Sequence, residues 1–118
     1  MKKIAVPIIN GNVSTYIMHG TRIQLYDVEQ NEIVGIAEQS ADINLAKQLR
    51  IKGVDALVCG MLPDGLRRDL AMAGVAVFAG IYGNADEMIR LLLENKLPCE
   101  PDTAHGFFAG HYRPCDHK

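Results

Sequence analysis

The sequence predicts an α/β domain in which an antiparallel β-meander precedes a β-α-β unit. In the first third of the chain, short segments rich in β-branched residues alternate with turn signals, as is typical of strands joined by tight connections. After Ser40 the spacing of apolar residues changes to about 3.6, the period of an amphipathic helix. A strand, a helix and another strand then follow at short intervals, and this order favours a right-handed parallel crossover.

The meander begins with the segment Lys3–Ile9, which is closed by the turn signal Asn10-Gly11-Asn12. Pro7 has no backbone N–H, so it is expected near the end of this strand or at an edge. Short connections between the strands favour antiparallel pairing. The further strands predicted in this region are Asn12–Met18, Arg22–Val28 and Ile33–Ala37.

The second part of the chain predicts three helices and two apolar strands. Ser40 fits the N-cap of the first helix, and Gly53 fits its C-terminal stop. Asn84 fits the N-cap of the last helix, with Glu87 three residues later as in a capping box. Between these two helices the pattern predicts a strand at Val54–Cys59, a helix at Leu66–Ala73 and a strand at Val75–Ala79.

Composition and charge exclude several classes of function. The chain has 118 residues, of which 48% are apolar and 22% charged, so one domain can bury a core without disulfides. The formal net charge is only -2, and neither half is basic, which argues against non-specific nucleic-acid binding. No apolar run approaches the roughly 20 residues of a membrane span, and none fits a signal peptide. We therefore expect a cytoplasmic protein without nucleic-acid or membrane partners; its three cysteines, an odd number, fit a reducing compartment.

A change of composition at Pro98 predicts a domain at residues 1–97 and a separate tail at residues 98–118. The tail concentrates Cys and His residues, which are ligands for zinc, iron or copper(I). Their spacing matches no standard zinc finger, so exposed side chains without a metal are the alternative. Aromatic residues in the tail could dock it on the domain. The candidate ligands are Cys99, His105, His111, Cys115 and His117, and the aromatic residues are Phe107, Phe108 and Tyr112.

A second candidate site follows the strand that ends at Cys59. The loop from Gly60 leads into a helix, so Cys59 is expected at the carboxyl end of a parallel sheet, where α/β folds bind ligands. Loop N–H groups and Arg67 would favour an anion there. The alternative is that Cys59 is a small buried apolar residue and that Gly60 serves only the turn. His19, between two predicted strands, is a further candidate ligand or simply faces water.

The chain resembles the dinitrogenase iron-molybdenum cofactor biosynthesis family, the NifX- and NafY-like group that includes the C-terminal part of NifB. The resemblance covers roughly residues 2–97 and departs from the family pattern at Tyr16, where the family has a histidine, and at Met61–Asp64, where the family has a glycine-rich run. The matching segments are Lys3-Ile4-Ala5-Val6-Pro7, Val13-Ser14, Tyr26-Asp27-Val28-Glu29, Gly53-Val54-Asp55, Cys59-Gly60, Gly65, Leu70, Ala73-Gly74-Val75, Gly80 and Gly83.

The resemblance implies an RNase H-like fold, with a five-stranded mixed sheet and about three helices, that holds or delivers a molybdenum- and iron-containing sulfide cluster without nuclease activity. Our leading hypothesis is therefore a non-enzymatic carrier or scaffold that exchanges such a cluster with donor or acceptor proteins. The predicted contacts are Cys59, Gly60, His19 and Arg67. The alternative is a metal-responsive interaction module whose tail binds zinc, iron or another transition metal. The sequence leaves the oligomeric state open.

Overall fold

The structure is a computed structural model that describes residues 2–97. Within that range the chain forms six strands and three helices, which confirms the predicted α/β class. The elements in chain order are β1 (Lys3–Ile9), β2 (Asn12–Val13), β3 (Arg22–Glu29), β4 (Glu32–Ser40), α1 (Leu45–Ile51), β5 (Ala56–Val58), α2 (Asp64–Met72), β6 (Ala76–Phe78) and α3 (Ala85–Leu93).

One mixed sheet contains all six of these strands. Its main path has the order β4-β3-β1-β5-β6, and the short β2 pairs with β1 beside this path. The pairs β1–β3 and β3–β4 are antiparallel, whereas β1–β5 and β5–β6 are parallel. The predicted change from antiparallel to parallel pairing is therefore confirmed. The described residues form six strands rather than five, because β2 adds to the five strands of the main path.

The largest errors in the predicted boundaries concern the end of the second strand and the start of the first helix. The strand predicted at Asn12–Met18 ends at Val13, because the Ser14 hydroxyl donates to the Tyr16 carbonyl at 2.8 Å and turns the chain out of the sheet. Ser40 is the last residue of β4 and does not cap α1. The N-cap is Asn44, whose Oδ1 accepts from the Lys47 amide at 3.2 Å.

The sheet has a buried apolar core on each face. On one face, α1 and α2 contribute Leu49 and Leu70, both fully buried, to a cluster that includes Cys59. On the other face, α3 contributes Ile89 to a cluster that includes Tyr26. Each such aliphatic side chain stabilises the fold by roughly 1.5–3 kcal/mol.

Polar contacts fix the start of α3 against the sheet. The Tyr26 hydroxyl contacts Gln24 Oε1 at 2.6 Å and Asp86 Oδ1 at 2.9 Å. Burial, and secondarily the hydrogen bond and negative charge of Asp86, raise the pKa of Tyr26 well above its usual range. The predicted cap is confirmed, since Asn84 Oδ1 accepts from the Glu87 amide at 2.9 Å.

The longest helices among residues 2–97 have nine residues each, and none of the helices in this range could span a membrane.

Candidate functional site

Three loops meet at the edge of the sheet where the parallel strands β1, β5 and β6 end. The first loop joins the second through the Met61 amide, which donates to the Thr15 carbonyl at 2.7 Å. The second joins the third through the Gly80 amide, which donates to the Gly60 carbonyl at 2.7 Å. Ligands of α/β folds bind at this end of the strands. We refer to these connected loops, at residues 14–21, 59–63 and 79–84 in that order, as the carboxyl-edge loops.

Gly60 is required where the first and second loops touch. A Cβ at this position would lie 2.8 Å from the carbonyl oxygens of both Ser14 and Thr15. These neighbours are backbone atoms, so the loop containing them would have to move as a whole. The structure therefore gives Gly60 a packing role, in addition to any contact with a ligand.

Cys59 lies directly beneath this contact and has no exposed surface. Its backbone amide donates to the Phe78 carbonyl at 2.9 Å, and its carbonyl accepts from the Ile81 amide at 2.9 Å. The side chain belongs to the same buried apolar cluster as Leu62 and Ala79. Cys59 is therefore at the predicted end of the sheet, but its sulfur is enclosed by protein in this conformation.

His19 lies on the surface of the first loop, in a turn that neighbouring hydrogen bonds define. The Gly20 amide donates to the Ala41 carbonyl at 2.9 Å, and the Met18 amide donates to the Thr21 hydroxyl at 2.8 Å. The imidazole is thus exposed on a loop that bonds to the residue after β4 through Gly20 and is closed by a local bond between Met18 and Thr21.

Arg67 occupies the first part of α2 and is 8% exposed. Among residues 2–97 it is the one buried charged side chain. Its amide donates to the Pro63 carbonyl at 3.0 Å, which links it to the loop that follows Gly60. Cys59, Gly60 and Arg67 therefore follow one another along β5, its loop and α2, whereas His19 is on the neighbouring loop.

The sequence interpretation did not identify the apolar surface of the carboxyl-edge loops. Four large apolar side chains at this edge are between 49% and 69% exposed: Ile9, the last residue of β1, and Tyr16, Met18 and Met61 on the loops. An open pocket of about 570 Å³ lies beside the first loop, and its lining includes Ile9, Tyr16 and Met18. The one signal in the sequence is Met61, a large apolar residue in a predicted loop, where polar residues are typical; Tyr16 and Met18 fall within the strand predicted at Asn12–Met18.

Candidate metal ligands do not cluster within the described part of the chain. No group of three or more His, Cys, Asp or Glu residues in residues 2–97 could hold a metal ion. A metal held wholly by protein ligands therefore does not fit these residues as they stand. The predicted tail ligands Cys99, His105, His111, Cys115 and His117 lie outside the described residues, and the assignment of all the site residues stays a prediction.

Comparison with known proteins defines the class to which this fold and site belong. A model of the dinitrogenase iron-molybdenum cofactor family matches residues 1–95, which is most of the chain. The chain belongs to this family, as its sequence resemblance implied. Among curated proteins, no significantly similar sequence was found.

Solved structures share the fold at low sequence identity. PH0822 is 17% identical with a TM-score of 0.73, over 86% of this chain and 96% of that one. A candidate NifB protein from Thermotoga, assigned to the DUF35 family, is 22% identical with a TM-score of 0.67, over 86% and 93%. The apo form of the orange protein from Desulfovibrio gigas is 20% identical with a TM-score of 0.66, over 87% and 98%. At these identities the likeness concerns the fold alone.

Proposed function

We propose that the protein is a non-enzymatic carrier or scaffold for a molybdenum- and iron-containing sulfide cluster, or for a precursor of that cluster. The observation that carries this proposal is the match of the iron-molybdenum cofactor family over residues 1–95. It is supported by the carboxyl-edge loops, which three strand ends bring to one side of the sheet. The cluster would be the cargo, received from and passed to partner proteins in the cytoplasm.

A preassembled cluster needs few protein ligands, because its own sulfides already complete most of the coordination of its metals. This property fits a domain in which residues 2–97 offer no group of three ligands. The exposed imidazole of His19 would be the first ligand, since nitrogen donors suit iron. Backbone N–H groups of the carboxyl-edge loops would donate to cluster sulfides, as such hydrogen bonds do in protein-bound clusters.

The other predicted contacts have different parts in this proposal. Gly60 permits the close approach of two loops, and Arg67 lies on the helix that follows the second loop. Cys59 is fully buried, so its sulfur could reach a cluster only after the residues that enclose it move away. We therefore assign initial contact to His19 and assign Cys59 to a later, tighter bound state.

We also propose the RNase H-like assignment of the fold that the family resemblance implies. It is supported by the order of the main path, in which antiparallel strands β3 and β4 stand on one side of β1 and parallel strands β5 and β6 on the other. The proposal assigns no catalytic residue, because two-metal hydrolysis needs a symmetric pair of metal sites and the described residues bring no such ligand set together.

The test is anaerobic reconstitution of the full chain with iron, sulfide and molybdate, followed by elemental analysis of the desalted protein. We expect the native chain to retain molybdenum, iron and sulfide, and His19→Ala to lose most of all three. His105→Ala is the matched control, because it removes an imidazole from the tail. A native chain that retains no metal contradicts the proposal.

The same experiment distinguishes the alternative function, a metal-responsive module that binds zinc or iron through its tail. This alternative is favoured by the concentration of Cys and His after Pro98. It predicts that His105→Ala weakens metal retention and that His19→Ala does not. It also predicts iron without sulfide in this experiment, since the thiolates and imidazoles of the tail would be the ligands of the metal.

A further inference from the structure

The strand β4 carries an apolar surface that no helix of the described chain covers. Ile36 is paired with Tyr26, and Ile33 with Val28. Residues directly opposite each other in an antiparallel pair point to the same face of the sheet. Tyr26 and Val28 are buried beneath α3, so Ile33 and Ile36 lie on that face as well. They are 36% and 56% exposed, and we name these two side chains the β4 patch.

The described part of the chain ends on the same face. Leu97 packs against the apolar cluster that contains Tyr26, Val28 and the buried residues of α3. Residues 98–118 therefore continue from the side of the sheet that carries the β4 patch. We propose that the C-terminal segment covers the β4 patch, with the rings of Phe107 and Phe108 against Ile33 and Ile36. This proposal does not rest on the proposed function.

The length of the segment allows this contact. Nine residues lie between Leu97 and Phe107, and a chain advance of ten residues spans at most roughly 33–36 Å when extended. The β4 patch is one strand beyond Val28, and adjacent strands are only about 5 Å apart. The connection therefore has ample length to bring either phenylalanine to the patch without disturbing the cluster around Leu97.

The chemistry of the two surfaces is complementary. The β4 patch is aliphatic, and residues 106–110 carry two aromatic rings and no charged side chain. Aromatic rings add a large contact area to aliphatic neighbours.

The test uses the full chain with labelled isoleucine δ1-methyl groups, observed by NMR. The variant is the double substitution Phe107→Ser and Phe108→Ser, and the matched control is Ala109→Ser, which leaves both rings in place. Ile43 and Ile51, which are 87% and 69% exposed away from the patch, are the internal reference signals. We expect the signals of Ile33 and Ile36 to shift in the double variant by more than either reference, at every protein concentration.

Other results overturn the proposal. Unchanged signals of Ile33 and Ile36 in the double variant mean that the rings do not cover the patch. Shifts that depend on protein concentration mean that a second copy of the chain covers it instead. A second measurement needs no variant: a nuclear Overhauser effect between a phenylalanine ring and the Ile36 methyl group is expected in the native chain, and its absence also contradicts the proposal.

Discussion

Replacement of Gly60 by alanine tests how the carboxyl-edge loops are held together. The new Cβ would lie 2.8 Å from two carbonyl oxygens and 3.0 Å from the Thr15 Cα. All three neighbours are backbone atoms, so no side chain can rotate to relieve the contact. Overpacking of this kind typically costs about 1–3 kcal/mol. We expect Gly60→Ala to lower the free energy of unfolding by an amount in that range.

Gly65→Ala is the matched control, because it adds the same methyl group five residues further along the chain, at the start of α2. A Cβ at Gly65 meets no atom within 4 Å, and alanine is favoured over glycine in a helix by up to about 1 kcal/mol. We expect this variant to be as stable as the native chain or more stable. The assay is urea unfolding of the full chain, followed by far-ultraviolet circular dichroism.

The result that would refute this reasoning is a Gly60→Ala variant as stable as Gly65→Ala. It would mean that the first loop moves away from Gly60 at no cost, so that the contact between Gly60 and Thr15 does not define the edge. His19, which lies on that loop, would then have no fixed position relative to the rest of the carboxyl-edge loops.

The remaining predictions concern the two cores of the sheet. Tyr26→Phe should lower the free energy of unfolding by about 1 kcal/mol at neutral pH, because the hydrogen bond between the hydroxyl and Asp86 is lost. Burial and Asp86 raise the pKa of Tyr26 in the folded chain above the value of about 10 in the unfolded chain. The contribution of Tyr26 to the free energy of unfolding is therefore fully present below pH about 10 and declines as the pH rises above that value. Urea unfolding above pH about 10 should show this decline in the native chain and less of it in Tyr26→Phe. Leu49→Ala should cost about 2–5 kcal/mol in the same assay, because this side chain is fully buried. Ile51→Ala, at a side chain that is 69% exposed, should change stability by less than about 0.5 kcal/mol, and equal effects of the two substitutions would contradict the packing of α1.

Most strands and helices were predictable because their signals are local. The alternation in β3 and the cap of α3 at Asn84 each depend on residues within one element. The errors occurred where one local signal competes with another. Ser40 is a good N-cap residue, but pairing with Arg22 extends β4 through it. Ser14 follows a strand pattern, but its hydroxyl bonds the Tyr16 carbonyl and ends β2 early.

The candidate site was predictable in position but not in exposure. The end of β5 located Cys59, and the turn before β3 located His19. Burial of the Cys59 side chain depends on its apolar cluster, whose members, such as Leu25 and Ala79, come together only in the tertiary fold. The approach of Thr15 to Gly60 likewise joins segments far apart in the sequence, and no spacing rule within either segment reveals it.

We propose that the domain, and not the tail, holds the cluster. The most direct test of this proposal is metal and sulfide analysis of the full chain with every tail ligand replaced, after anaerobic reconstitution with iron, sulfide and molybdate. The replacements are Cys99→Ser, Cys115→Ser, His105→Ala, His111→Ala and His117→Ala. We expect this variant to retain as much molybdenum, iron and sulfide as the native chain. If the native chain retained all three components and the variant lost them, this result would contradict the proposal that the domain holds the cluster.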